Sequence, residues 1–94
     1  MELNIAFGEA LRDIRKQRGL TQEDFSDVSS RTYLSTLERG LKRPTIDKVS
    51  QLAEVLNVHP ATLIMATFLN QERVVTRKDL LQRICMELDE LGMR

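Results

Sequence analysis

The segment TQEDFSDVSSRTYLSTLERG, Thr21 to Gly40, constrains the fold more than any other part of the chain, because it reads as two short helices joined by a tight polar turn. Thr21 is a favoured N-cap, Phe25 and Val28 give the first helix an apolar side, and Ser29 and Ser30 supply cap and turn. Leu34 and Leu37 anchor the second helix, which Gly40 ends. That leaves Arg31, Thr32, Ser35 and Thr36 facing outward, with Tyr33 on the flank. A helix held by two leucines and presenting a guanidinium and hydroxyls is suited to the major groove of double-stranded DNA.

At 94 residues the chain has room for one domain with a modest core. Hydrophobic residues at 41% and charged residues at 30% mark a globular chain rather than a disordered one. No apolar run approaches the length of a membrane span, and Arg12 to Arg18 follow Met1 too soon for a signal peptide. The lone cysteine, Cys85, makes no internal disulfide and fits a reducing cytoplasm. A formal net charge of zero argues against a nonspecific polycation, but placement matters more than the sum. Arg31, Arg39, Lys42, Arg43 and Lys48 share one segment with only Glu38 and Asp47 as anions, and Glu38 is expected to be buried. The acids gather elsewhere, at Glu23, Asp24 and Asp27 and again at Glu87, Asp89 and Glu90. This distribution predicts a basic face.

Periodicity predicts helices throughout and no strand. The first runs from about Ile5 to Gln17 on Phe7, Leu11 and Ile14, with Gly19 as a left-handed cap and Leu20 packed beneath. Two more are expected at about Gln22 to Asp27 and Arg31 to Arg39, followed by a loop from Leu41 to Pro44. Thr45 caps a fourth with the apolar stripe Ile46, Val49, Leu52, Ala53 and Leu56, which Asn57 ends. His59 and Pro60 start a fifth, to about Leu69, expected to bury Leu63 and Ile64, and Phe68 as a further candidate. Gly8, inside the first helix, is expected to permit close packing.

After a polar break from Asn70 to Val75, Thr76 and Asp79 form a capping-box pattern and open a sixth helix to about Leu91. Leu81, Ile84, Leu88 and Leu91 give it a stripe of its own, which Leu80 and Cys85 widen. Two roles fit: a dimer contact, helped by Met65 and Leu69, or a cover folded onto the body. Too short for an independent coiled coil, the helix is expected to pack on the body even as a dimer contact.

The pieces LRDIRKQRGLTQEDF, SRTYLSTLERG and RPTIDKVSQLAEVLNVHPATL, in register between Phe7 and Phe68, resemble the lambda-repressor-like helix-turn-helix family, the Xre and Cro group of bacterial and phage regulators. The stretch RTYLSTLERG is also similar to the recognition segment of restriction–modification controller proteins. The resemblance implies an all-α fold: a five-helix DNA-binding domain over residues 1–69, then a linker and C-terminal dimerisation helix over 70–94. It implies a phosphate contact for Gln22 and base-edge positions for Arg31, Thr32 and Thr36. Ser35 and Tyr33 match positions that reach a base or the backbone, and Lys42 and Arg43 match phosphate contacts. Arg15 and Glu38 match a structural ion pair. From its own chemistry, Arg31 suits bidentate reading of guanine or a phosphate contact, and Arg39 a phosphate or its own helix C-terminus. The chain departs from the family at DVSS, where members have a slightly longer connection, often with a glycine; a shorter second helix or a tighter, serine-capped turn would accommodate it.

Operators are commonly read as two half-sites by a symmetric dimer, so Leu81, Ile84, Leu88 and Leu91 are the expected interface of a homodimer on a palindromic operator. The function expected is that of a regulator, with repression of its own promoter the form most in keeping with a small standalone member acting at the bacterial or phage nucleoid. The rival is an antitoxin-type protein that also masks a partner through the last helix. No catalytic group, metal site, cofactor or small-molecule ligand is expected, since His59 lacks partners and Cys85 has no close cation to activate it.

Overall fold

A computed structural model describes all 94 residues. It contains five α-helices, α1 (Leu3–Gln17), α2 (Arg31–Glu38), α3 (Ile46–Leu56), α4 (Pro60–Gln71) and α5 (Arg77–Glu90), and no strand. Between α1 and α2 lies a single 3₁₀ turn, Gln22–Phe25, where the sequence predicts an α-helix to Asp27. The short connection explains the difference. The N–H groups of Val28 and Ser29 both turn back to the Phe25 carbonyl, at 3.0 and 2.9 Å, so the chain reaches the Ser30 cap without adding a helical turn. Asp24 closes the start of the 3₁₀ turn by accepting from the Thr21 N–H at 2.7 Å and the Thr21 hydroxyl at 3.1 Å.

The remaining helix ends follow their caps. Gly19 sits at φ +70° with Leu20 N–H returning to the Arg15 carbonyl at 3.0 Å, which is the closure expected after α1. Thr45 and Thr76 accept from the N–H groups of Lys48 and Asp79, and His59 Nδ1 accepts from Ala61 N–H at 2.9 Å. Asn57 adopts a left-handed conformation at φ 57° and stops α3.

Around Phe25, fully buried in the 3₁₀ turn, the core gathers Phe7, Ala10 and Leu11 of α1, Leu34 and Leu37 of α2, Val49, Leu52 and Leu56 of α3, and Leu63 of α4. Helices α1 and α4 form the main packing pair, and α2 lies across α1. Two apolar expectations fail. Ile46 is 82% exposed, because the first residue of α3 lies outside the layer built by Val49, Leu52, Ala53 and Leu56. Ile64 and Phe68 are also exposed, since the buried face of α4 centres on Leu63 and Thr67, whose hydroxyl is satisfied by the Leu63 carbonyl at 2.9 Å.

Helix α4 continues to Gln71 and is tied to α1 by Asn70 donating to the Ala6 carbonyl and by an Arg73–Glu9 ion pair of 2.7 Å. Beyond it α5 buries no residue fully and has no extensive packing on another element, so the expected docking onto the body is not formed. Charged side chains flank its apolar stripe, of which Leu81, Leu88 and Leu91 are exposed and Leu80 and Ile84 half-buried; Cys85, assigned to that stripe, is exposed. The radius of gyration of 14.0 Å exceeds the roughly 12 Å of a compact chain this long, which reflects the projecting helix. No single helix is long and apolar enough to cross a membrane.

Candidate nucleic-acid interface

Eight residues are too few for a helix to hold itself in water, so α2 depends on what it packs against. Ser30 starts it by accepting from Tyr33 N–H at 3.1 Å, and Leu34 and Leu37 are fully buried. Its C-terminal end rests directly on the α1 backbone. A Cβ on Gly8 would collide with the carbonyls of Leu37 and Glu38, and one on Gly40, at φ +74°, would collide with Ile5. Asn4 donates its side-chain amide to the Gly40 carbonyl.

The ion pair between α1 and α2 forms as expected. Arg15 donates to both Glu38 oxygens, from Nε at 2.6 Å and Nη2 at 2.9 Å, and from Nη1 to the Leu20 carbonyl at 3.0 Å. Hydrogen bonding to Glu38 raises the Arg15 pKa, helped by the carboxylate's charge and opposed by burial. Because the shift is upward, the arginine's share of the stabilisation is fully present at any pH below its ordinary value. Gln22 adds a third element by donating to Glu38 Oε1 at 3.3 Å, which fixes its amide at the start of the 3₁₀ turn.

On the opposite face Arg31, Thr32 and Arg39 are exposed, and Tyr33, Ser35 and Thr36 are half-buried. Arg31 lies 3.6 Å from Glu23, but both side chains are solvated, so the pair constrains Arg31 weakly. The Thr36 hydroxyl donates to the Thr32 carbonyl at 2.8 Å. Its proton is therefore engaged within the helix, leaving Thr36 an acceptor and a methyl group to present.

Two adjoining depressions share Arg15 and Gln22. One, of about 450 Å³, also has Thr21, Glu23 and Arg31 in its lining; the other, of about 250 Å³, has Arg12, Lys16, Ser35, Glu38 and Arg39. Gln22, Arg31, Ser35 and Arg39 therefore flank one stretch of surface. Arg12 and Lys16, which the sequence reading passed over, extend it along α1. Their spacing on the polar face of that helix is the signal that would have found them. Lys42 and Arg43 are exposed in the loop after α2. Arg43 borders a different cleft, lined by Leu3, Phe7, Ile64 and Phe68 among others. Lys48, counted with the basic face from sequence, is half-buried and donates to the Val28 carbonyl.

The helix-turn-helix family model matches residues 11–63, more than half the chain. The chain is 36% identical over 69 residues to an uncharacterized HTH-type transcriptional regulator, y4dJ, of Sinorhizobium fredii, spanning 71% of this chain and 90% of that protein. It is 31% identical over 65 residues to the control protein C.BamHI of Bacillus amyloliquefaciens, spanning 66% and 80%. The fold is similar to the crystal structure of the restriction–modification controller protein C.AhdI from Aeromonas hydrophila, with a TM-score of 0.60, 31% identity, and coverage of 64% of this chain and 94% of that one. A structure of the clp gene regulator ClgR from Corynebacterium glutamicum aligns with 97% of this chain and 90% of its own, at a TM-score of 0.68 and 25% identity.

Proposed function

We propose, for a chain that belongs to the helix-turn-helix family of Xre/Cro-type transcriptional regulators, that it binds a palindromic operator as a homodimer and represses transcription, including that of its own gene. The observation that carries this reading is the orientation of α2: Leu34, Leu37 and Glu38 face α1, while Arg31 and Thr32 face solvent beside Gln22. In the proposal residues 1–69 hold the DNA and 70–94 the linker and dimerisation helix, and the protein acts in the cytoplasm at the nucleoid. Helix α2 enters the major groove with Arg31, Thr32 and Thr36 at base edges. Tyr33 and Ser35 meet base or backbone. Gln22, Arg39, Lys42 and Arg43 hold phosphates, joined by Arg12 and Lys16.

The bare α5 supports the dimer. The accessible surface of 6698 Å² exceeds by about 1,100 Å² the area expected of a compact monomer of 10.8 kDa. One side of a standard protein interface buries about 800 Å², so a second copy fits the excess. Leu81, Ile84, Leu88 and Leu91 form the proposed contact, the first, third and fourth being 46%, 40% and 73% exposed. Leu88→Asp is expected to yield a monomer in sedimentation velocity, with weaker operator binding and unchanged base preference. A variant that stays dimeric sinks that assignment. A stable complex of α5 with an unrelated protein, in place of a homodimer, would instead support an antitoxin-type role.

DNA selected from random duplexes by the purified protein, followed by gel shifts, tests the whole reading. Failure to enrich any sequence at moderate salt would overturn it. On the selected site, Arg31→Ala is expected to relax preference at one base pair by about 1–3 kcal/mol. Lys42→Ala is expected to weaken all sequences alike and to reduce the slope of log affinity on log salt by about 0.9.

A further inference from the structure

The geometry points to Lys48 as the residue that positions the recognition helix and Tyr33, a role that rests on the DNA reading above. Lys48 lies in the first turn of α3, where its own N–H is capped by Thr45 at 3.0 Å. A cation at a helix N-terminus is electrostatically misplaced, because the exposed N–H groups there already carry positive potential. Its ammonium group is directed away from α3 instead. It donates to the Val28 carbonyl and stands 5.9 Å from the centroid of the Tyr33 ring.

Each contact answers a need created by the short turn. With the 3₁₀ turn ending at Phe25, the Val28 carbonyl receives no backbone N–H, and a charged donor from another helix takes that place. Tyr33 occupies the flank of α2 just after the Ser30 cap, where its ring is half-buried and packed against the edge of the core. An ammonium over its outer face holds that placement through the ring quadrupole. One side chain thus links α3, the turn and α2, at the point where the connection departs from the family pattern. Lys48 acts through Tyr33 and the turn, without a phosphate of its own.

The chain has one tyrosine and no tryptophan, so the tyrosine band of the near-ultraviolet circular dichroism spectrum reports on Tyr33 alone. Lys48→Met, which keeps the aliphatic stem, is expected to weaken that band while far-ultraviolet helix content is retained. Its affinity ratio for selected over scrambled duplex should fall about five- to tenfold, with the salt slope unchanged. Lys48→Arg, which keeps the charge, a donor and the capacity to stack on an aromatic face, should restore both at least in part. An unchanged band or a salt slope reduced by about 0.9 would each overturn the role, the second marking an ordinary phosphate cation. A wild-type protein that does not discriminate between duplexes would sink the DNA reading alone, and the band would still decide whether Lys48 holds Tyr33.

Discussion

Replacing Gly8 by alanine is expected to lower the unfolding free energy by about 3 kcal/mol, although alanine ordinarily favours a helix interior by about 1 kcal/mol. The sign is set by what the new methyl group meets. Around Gly8 the obstacles are the carbonyl groups of Leu37 and Glu38, backbone that cannot rotate aside as a side chain can. Room for the methyl requires α2 to lift from α1, which strains the Asn4–Gly40 and Arg15–Glu38 contacts together. Thermal unfolding should fall by more than about 10 °C for a chain of this size. Operator affinity should fall with it, because the helix that carries Arg31 is the one displaced. A stability equal to wild type would contradict this close approach of the two helices.

Glu38→Ala is expected to cost about 3 kcal/mol by urea unfolding. Most of that is the Arg15 guanidinium left without its partner in a site where its side chain is 12% exposed. The small exposure lets water reach one edge, which keeps the cost at the low end for a broken buried pair. The reverse construction separates stability from orientation. Arg15→Met with Glu38→Leu removes both charges and should return stability to within about 1 kcal/mol of wild type. It should bind all duplexes more weakly while keeping its base preference, since Gln22, assigned to a phosphate, loses the carboxylate that holds its amide. Unimpaired affinity in that double variant would show that the pair serves packing alone.

The sequence carried the architecture because periodicity and caps are local properties. Thr45, Asn57, His59 and Thr76 mark helix ends within reach of their own backbone, and the structure places caps at each. Depth is less local. Ile46, Ile64 and Phe68 have the right spacing for a buried stripe, but whether an apolar residue is covered depends on what stands opposite, and α5 does not fold back over any of them. The 3₁₀ turn was legible only as a shortage of residues at DVSS. The bonds that set α2, from Asn4 to Gly40 and from Lys48 to Val28, join side chains to carbonyls far along the chain, and no spacing rule marks them. The Arg15–Glu38 pair was reached through family resemblance, and the structure supplies its geometry.

The largely open apolar face of α5 also bears on dosage. If that helix pairs with its own kind, the concentration of the assembled form climbs with the square of the total while copies are scarce. A promoter occupied only by the assembled form then stays open at low copy number and shuts over a narrow interval of accumulation. The steepness of that response would be written in α5 rather than in the helix that touches the bases.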